Sequence, residues 1–285
     1  MNVYKNLDTS LILASQKRGA EGKISRFDQP WSRFGSHAID ARAAVAHHFG
    51  VEIVDFSNRR PLTVGSFGSA ADARQAAPAL VAESCDIAEV RLDLMRDELG
   101  GGAKPWAHLA RIPLLFTARM AAEGGAGNLD AATREALLRE VLDDAACIDI
   151  EVASIGSMAG LIDELRQRKL PWVASFHDFE KLPENAVLEE RLARAKSAGA
   201  AVFKVAAKLH SPGDVARLAE FQLADHGIAV ATMGMGVLAP VSRLLCAQCG
   251  SVLNYGFIGQ TATAPGQWDS LRLKQAIESL EAFGR

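Results

Sequence analysis

Residues 171–206 read PWVASFHDFEKLPENAVLEERLARAKSAGAAVFKVA and contain one complete strand–helix–strand unit. Trp172–Phe176 and Ala201–Ala206 are short apolar runs, which are typical of parallel strands that are buried on both faces. Between them, Glu184–Ser197 repeats its apolar residues with the 3.6-residue period of an amphipathic helix. The stretch therefore predicts two parallel strands joined by a crossover helix.

The same unit repeats along most of the chain. Apolar runs that start 24 to 35 residues apart alternate with helical segments such as Ala70–Glu83, Ala131–Leu142 and Pro212–Ala224. The predicted strands are Leu62–Phe67, Ile87–Leu92, Ile112–Thr117, Cys147–Val152, Trp172–Phe176, Ala201–Ala206, Ile228–Thr232 and Val252–Phe257. Eight such units match a closed barrel better than an open sheet, so we predict an α/β protein with the (β/α)8 TIM-barrel fold.

The first 50 residues do not share this pattern. They are rich in Ser, Arg, Lys, Gly and Asp, so we predict an N-terminal extension of residues 1–50 before a catalytic barrel of residues 51–285. The composition predicts neither an ordered nor a disordered extension. Within it, only Ala38–Phe49 has the pattern of a short helix. His47 and His48 are expected at its end. Val51–Val54 predicts a strand of a hairpin that covers the barrel floor.

Composition and charge narrow the classes of function. The 285 residues include 31 basic and 34 acidic side chains, a formal net charge of −3. Because this net charge is small, it gives no electrostatic reason to expect nucleic acid or a membrane surface as a partner. No apolar run approaches the roughly 20 residues of a membrane helix, and residues 1–17 lack the apolar core of a signal peptide. We therefore expect a cytoplasmic protein.

Cys246 and Cys249 form a CxxC pair, a spacing that also occurs in zinc and redox sites. A structural zinc site needs about four ligands, and no second CxxC pair is present in the sequence. Because residues three apart share one face of a helix, we interpret the pair as structural and predict no metal site.

Polar residues are expected at the C-terminal ends of the strands, where barrels of this kind carry their chemistry. Glu89 and Arg91 lie two residues apart near the end of the second predicted strand, so both point to one face. They either bind a ligand or form an internal ion pair, because buried charges need partners. Asp149 and Glu151 share a face of the fourth strand and predict a polar network at the barrel mouth.

Lys204 is the most informative residue because it lies within a buried apolar run, where an ammonium group is costly. Burial lowers the pKa of a lysine and yields a free amine that can form an imine with a carbonyl group. The alternatives are a lysine that reaches solvent and a paired core charge. His177 lies 27 residues earlier, just past the neighbouring predicted strand. Adjacent strands lie about 4.8 Å apart, so both residues could act on one small substrate.

The loops that follow other strands contribute further candidates. Arg119 and Glu123 leave the third strand on a loop with paired glycines, which let the backbone approach a ligand. Arg243 suits bidentate binding of a carboxylate, and Gln267 lies on an Ala-Pro-Gly-Gln turn that could close as a lid. The glycine-rich loop Met233–Gly236 could instead hold a phosphate group.

Taken in order, these segments resemble type I 3-dehydroquinate dehydratase, a Schiff-base enzyme of the shikimate pathway, from about Pro61 to the C-terminus. The resemblance rests on Glu89-x-Arg91-x-Asp93, Thr117-x-Arg119, Glu123-Gly124-Gly125, Asp149-x-Glu151, Ser175-Phe176-His177-Asp178-Phe179, Phe203-Lys204-Val205-Ala206, Ser242-Arg243 and Ala264-Pro265-Gly266-Gln267. Val90 and Thr263 depart from the family, which usually has an aromatic residue and a serine there. Thr263 keeps the hydroxyl, so we expect a shifted substrate affinity rather than lost activity.

The resemblance implies a hydro-lyase that converts 3-dehydroquinate to 3-dehydroshikimate. It implies that Lys204 forms the imine, that His177 is the general acid/base and that Glu123 orients His177. The substrate-binding residues that it implies are Glu89, Arg91, Arg119, Arg243, Thr263 and Gln267. It further implies a homodimer that needs neither a metal nor an organic cofactor.

Two other functions would use the same barrel. A class I aldolase would employ the same lysine to cleave a C–C bond, but would need a phosphate grip or a different acid/base pair. A ligand-sensing barrel would bind a small molecule without chemistry, and would then need neither Lys204 nor His177. Assays for aldol cleavage and for dehydration separate the three hypotheses.

Overall fold

The computed structural model describes residues 47–48, 51–99, 102, 104–260 and 262–281, and the barrel lies within the compact unit Ala44–Arg285. The strands are β1 (His47–His48), β2 (Val51–Glu52), β3 (Leu62–Phe67), β4 (Ile87–Arg91), β5 (Leu114–Thr117), β6 (Cys147–Glu151), β7 (Trp172–Asp178), β8 (Val202–Lys208), β9 (Ala229–Met235) and β10 (Leu253–Ile258). The helices are α1 (Ala70–Gln75), α2 (Pro78–Ser84), α3 (Leu92–Met95), α4 (Ala131–Arg139), α5 (Ala159–Arg168), α6 (Asn185–Ser197), α7 (Pro212–Leu223), α8 (Ala239–Gln248) and α9 (Ser270–Glu281).

The eight strands β3 to β10 form one parallel sheet in chain order, and β10 returns to pair with β3. The seam between β9 and β10 is joined by hydrogen bonds from the Val252 N–H to the Val230 carbonyl (3.1 Å) and from the Thr232 N–H to the Ser251 hydroxyl (3.2 Å). The sheet is therefore closed into the predicted (β/α)8 barrel, with helices following its strands.

Side chains alternate between the two sides of the barrel wall, because successive residues of a strand point to opposite faces. On β8, Phe203 and Val205 belong to the apolar layer between the strands and the helices. Val202 and Ala206 belong instead to the cluster that fills the barrel interior. Lys204 lies between these two interior residues, and its side chain therefore enters the barrel.

The N-terminal end of the barrel is covered by the segment that follows β1 and β2. These two strands pair antiparallel, as predicted for the hairpin, and Val54 and Phe56 then pack against the interior cluster. The predicted helix Ala38–Phe49 is wrong at His47–His48, which form a strand. The rest of that helix and residues 1–46 lie outside the described residues, so the domain boundary at residue 50 stays a prediction.

The remaining differences concern where elements begin and end. The segment predicted as one helix, Ala70–Glu83, forms both α1 and α2, because a residue before proline disfavours the helical conformation and Ala77 is extended before Pro78. β7 continues to Asp178, so His177 lies within the strand rather than just past its end. In the described part of the chain, no helix is long and apolar enough to cross a membrane.

Candidate active site

The C-terminal ends of the barrel strands surround one cavity. Its lining includes every catalytic and substrate-binding residue that the sequence predicts: Glu89, Arg91, Arg119, Glu123, His177, Lys204, Arg243, Thr263 and Gln267. A larger cavity of about 690 Å³ lies at the opposite end, along residues 53–59 and the start of β7. None of the predicted site residues lines the larger cavity, so the polar chemistry is concentrated at the C-terminal face.

The Lys204 side chain is only 3% exposed, and Nζ donates a hydrogen bond to Oδ2 of Asp149 at 2.8 Å. On another side, Nζ lies 4.2 Å from the centroid of the Tyr255 ring. Burial, the largest influence, lowers the pKa of Lys204 below the usual value for lysine, although Asp149 acts in the opposite direction. The amine is thus more available than that of a surface lysine.

A buried ionic network supports the Lys204–Asp149 pair. Oδ1 of Asp149 accepts hydrogen bonds from the Ser175 hydroxyl at 2.5 Å and forms an ion pair with Arg119 at 2.9 Å. Arg119 also pairs with Glu151, whose second oxygen pairs with Arg134 of α4 at 2.6 Å. Burial acts to raise the pKa of Asp149, but Arg119 and Lys204 hold it below its usual range.

His177 and Glu123 form the second functional pair. Nδ1 of His177 lies 2.9 Å from Oε2 of Glu123. Burial, followed by the positive charges of Arg119 and Lys204, lowers the pKa of His177 well below its usual value. The imidazole is therefore uncharged near neutral pH and can accept a proton.

Glu123 is brought to His177 by the turn after β5. A short 3-10 helix, Ala121–Glu123, ends at Gly124, whose φ of 85° lies in the left-handed region that glycine adopts without strain. A Cβ at Gly124 would also lie 2.5 Å from the ring of Phe179. The paired glycines noted in the sequence thus place Glu123 beside the strand that carries His177.

The acidic and basic residues of β4 are held in place by neighbours. Glu89 accepts hydrogen bonds from the hydroxyls of Ser66 and Thr117. Arg91 makes a bidentate pair with Asp93, at 2.9 Å from Nε and 2.7 Å from Nη2. Arg91 is therefore paired internally, with Asp93, and it also lines the cavity, whereas binding of a ligand by Glu89 and Arg91 stays a prediction.

Arg243 is only 2% exposed and lies on α8. Its Nη1 donates to the Tyr255 carbonyl at 2.6 Å, whereas its Nε has no partner among the described residues. Burial lowers the pKa of Arg243 to about 10. A buried guanidinium with a free N–H is suited to bind the carboxylate of a ligand.

Residues 262–269 form a loop over the cavity. Oε1 of Gln267 accepts hydrogen bonds from the Thr263 N–H and hydroxyl, both at 2.9 Å, and so ties the loop to itself. The loop is joined to the end of β9, because the Gly236 N–H donates to the Pro265 carbonyl at 3.2 Å. Thr263 and Gln267 are thus brought together on one face of a single loop.

Two residues of the site were not predicted in their present roles. Asp149 was assigned to a polar network, but the sequence did not show that it contacts Lys204. Tyr255 lies inside the barrel because it is two residues from Leu253 on β10 and so shares its face, and this spacing was a signal that the sequence offered.

Among the described residues, no further metal ligands gather around the CxxC pair. Cys246 is buried on α8, and Cys249 follows the end of the helix. Across the described residues, no group of three or more His, Cys, Asp or Glu side chains is arranged to hold a metal ion.

Fold and site together define the class of (β/α)8-barrel enzymes with a buried lysine at the C-terminal end of the barrel. Within that class, residues 66–283 match the family model described as Type I 3-dehydroquinase, and the chain belongs to the type I 3-dehydroquinase family. Members of this family are hydro-lyases. The assignment supports dehydration over aldol cleavage and over ligand sensing without chemistry.

Similar proteins agree with the family assignment. The chain is 32% identical over 224 residues to a 3-dehydroquinate dehydratase of Methanothrix thermoacetophila, which covers 79% of this chain and 94% of that protein. It is also 32% identical over 211 residues to a catabolic 3-dehydroquinate dehydratase of Acinetobacter baylyi. That match covers 70% of this chain and 77% of the Acinetobacter protein. Its fold resembles that of a 3-dehydroquinate dehydratase from Geobacillus kaustophilus, with a TM-score of 0.72 and 24% sequence identity. The superposition covers 85% of this chain and 98% of the Geobacillus chain.

Proposed function

We propose that this protein removes water from 3-dehydroquinate to give 3-dehydroshikimate through an imine on Lys204, with His177 as general acid/base. One observation carries the proposal. Lys204 is a lysine at 3% exposure whose amine faces the same cavity as the partly buried His177–Glu123 pair. Once it has lost a proton, the Lys204 amine is the nucleophile that forms the electron-withdrawing iminium, and an uncharged imidazole supplies the base that a dehydration needs.

The first stage activates the substrate. The Lys204 amine attacks the C3 ketone, the carbonyl electrons move to oxygen, and that oxygen leaves as water. The resulting iminium carries a positive charge on nitrogen and withdraws electrons from the neighbouring C2–H bond. The proton on C2 becomes acidic because the electron pair of the broken bond is taken up by the iminium as an enamine.

The second stage eliminates water and frees the enzyme. His177 removes the C2 proton through Nε2, because Nδ1 faces Glu123. The enamine electrons then expel the C1 hydroxyl, which takes the proton from His177 and leaves as water. Hydrolysis of the remaining iminium releases 3-dehydroshikimate and restores the lysine. General acid–base catalysis of this kind contributes about 10² to 10⁴ in rate.

The other residues that line the cavity bind the substrate in this proposal. Arg243 holds the carboxylate, since its buried Nε has no partner among the described residues. Gln267 and Thr263 contact the carboxylate end from the loop. Glu89, Arg91 and Arg119 bind the ring hydroxyls, and the fixed partners of these side chains set the orientation of the ring.

We also propose that the enzyme acts in the cytoplasm and that it forms the homodimer that the resemblance implies. On α8 and just before it, Val237, Val241 and Leu245 are 93%, 52% and 39% exposed and recur every four residues. The spacing aligns Val241 and Leu245 on one face of α8, and Val237 stands just before that helix; a second copy could cover this apolar patch. Light scattering should give twice the chain mass, and Val241→Glu should give the mass of a single chain.

The proposed reaction is tested by trapping the imine. Intact-protein mass spectrometry after incubation with 3-dehydroquinate and borohydride should show one covalent adduct, and peptide mapping should place it on Lys204. An unmodified mass in folded protein would contradict the covalent mechanism. Adduct on a different lysine would reassign the catalytic residue.

A further inference from the structure

We propose that Asp149 is the proton carrier of imine formation: it takes a proton from the Lys204 ammonium and returns it to the water that leaves. This assignment rests on the proposed imine at Lys204. It adds a catalytic residue on β6, since the carboxylate touches the reacting nitrogen itself.

The geometry singles out Asp149 among the acidic residues of the site. Its Oδ2 lies 2.8 Å from Nζ, and no other described carboxylate is within ion-pair distance of Lys204. Glu89 accepts from two hydroxyls, and Glu151 is shared by two arginines. Both Asp149 and Lys204 are shielded from solvent, at 2% and 3% exposure, so water does not readily replace the carboxylate.

Two other side chains that line the cavity, Tyr255 and His177, are poorer acceptors for the proton of Nζ. The Tyr255 ring offers only its π face, at 4.2 Å, and burial raises the pKa of its hydroxyl well above the usual value, so the phenol stays protonated. His177 uses Nδ1 to contact Glu123, and the proposed mechanism reserves its Nε2 for the C2 proton. Asp149 therefore remains as the acceptor at the nitrogen.

The two oxygens of Asp149 have separate tasks. Oδ1 is held by the Ser175 hydroxyl and by Arg119, and this leaves Oδ2 directed at Nζ. The surrounding cations keep the free carboxylate ionised, so the carboxylate–ammonium pair is the resting state. Burial acts on Lys204 in the opposite sense and reduces the cost of moving the proton.

The proposed proton transfers conserve atoms and charge. The ammonium gives one proton to Oδ2, and the freed amine forms the C–N bond while the carbonyl electrons move to oxygen. The alkoxide takes a second proton from the attached nitrogen and becomes a hydroxyl. Asp149 then protonates this hydroxyl, the C–O bond breaks with its electrons, and the nitrogen lone pair forms the iminium. The carboxylate is regenerated and one water leaves.

The test measures the rate of imine formation rather than turnover. Wild type and Asp149→Asn are mixed with 3-dehydroquinate, quenched with borohydride at short times, and the adduct on Lys204 is quantified by mass. Asparagine has the same shape but cannot carry a proton, so imine formation should slow by about 10²-fold. Asp149→Ala should be slow as well, and added formate should restore part of the rate because it fits the vacated position as a proton carrier.

The outcomes separate the two proposals. No adduct in wild type would overturn the proposed function itself. A wild-type adduct together with an equal or faster rate in Asp149→Asn would overturn only the role of Asp149, because loss of a mere counterion lowers the pKa of Lys204 and frees its amine. If neither variant folds, wild type decides: a slower imine step in D2O is expected, and equal rates in H2O and D2O would refute proton transfer.

Discussion

Oε2 of Glu123 accepts two hydrogen bonds from His177, one from Nδ1 at 2.9 Å and one from its backbone N–H at 3.0 Å. A single carboxylate oxygen therefore fixes the imidazole ring relative to the strand that carries it. While Glu123 is ionised, the proton of the imidazole stays on Nδ1, and Nε2 keeps the lone pair that a general base needs.

This relationship predicts a loss of activity at acidic pH. Burial, the largest influence, raises the pKa of Glu123 to about 7. When Glu123 takes a proton, it can donate to Nδ1, the imidazole proton moves to Nε2, and the base is lost. We expect kcat/KM to fall about tenfold per pH unit below about pH 7, as one protonation requires. Glu123→Gln should lower activity and remove this acid limb; an unchanged limb would assign the titration to another group.

Replacing Lys204 should abolish the covalent pathway. Lys204→Met keeps an unbranched apolar chain of similar length, so the fold should survive, yet the electron sink is absent. We expect kcat to fall by more than about 10⁴-fold, as when the nucleophile of a covalent enzyme is removed. Lys208→Met is the matched control, because Lys208 ends the same strand and is exposed. Activity near the wild-type value in Lys204→Met would rule out the imine.

Replacing His177 should separate imine formation from elimination. His177→Ala retains the amine, so the borohydride adduct should still form on Lys204. Turnover should fall by about 10² to 10⁴, the usual contribution of a general acid–base group. His108→Ala serves as the control, since His108 is exposed and contacts only the Ala76 carbonyl among its described hydrogen-bond partners. Complete absence of adduct in His177→Ala would show that His177 also acts in the first stage.

We expect the buried Arg243 side chain to lower the stability of the free enzyme while it strengthens binding of the substrate. An arginine at 2% exposure whose Nε meets no partner within the described part of the chain is costly to bury, because its hydration is lost without full compensation. Arg243→Met should therefore leave the melting temperature of the free enzyme unchanged or raise it. KM should rise by about 10²-fold, as expected when a charge-assisted contact of about 3 kcal/mol is lost. A lower melting temperature with an unchanged KM would assign Arg243 a purely structural role.

The loop over the cavity should depend on Gly266. Its φ is 74°, and a Cβ there would lie 2.2 Å from the Gly236 carbonyl oxygen, which is backbone and cannot move aside. Gly266→Ala should displace the loop and reduce kcat/KM by about tenfold or more, since misplacing positioning groups is costly. Gly199→Ala has the same left-handed φ, at 82°, without a contact within 4 Å, so it isolates the conformational penalty. Equal losses in the two variants would disprove a role for loop contact.

The barrel was predictable because each buried strand is a short apolar run, whereas the apolar residues of each amphipathic helix repeat with a period of about 3.6 residues. The break at Pro78 was also predictable in principle, because residue 77 precedes a proline and is therefore disfavoured in a helix. The strand at His47–His48 was not predictable, because the local sequence pattern indicates a helix there. Its conformation is determined by pairing with Val51–Glu52. Such pairing depends on a partner rather than on local preference.

The sequence was sufficient to predict which residues gather at the ends of neighbouring strands. The resemblance supplied the roles of these residues. The partners of each charge were not predictable. Arg91 satisfies Asp93 two residues away, whereas Arg119 is shared between Asp149 and Glu151 on the next strand. Which carboxylate meets which cation depends on side-chain direction and strand register, and these exist only in the closed barrel.

The closure between β10 and β3 also determines when this chain becomes reactive. Tyr255, which covers one side of Lys204, is near the end of the sequence, and its strand pairs with the first strand of the barrel. In the unfolded chain Lys204 is an ordinary hydrated ammonium, with little free amine at neutral pH. We therefore expect the lowered pKa of Lys204 to arise only when the barrel closes, so that the unfolded chain condenses with a carbonyl compound no faster at Lys204 than at any exposed lysine.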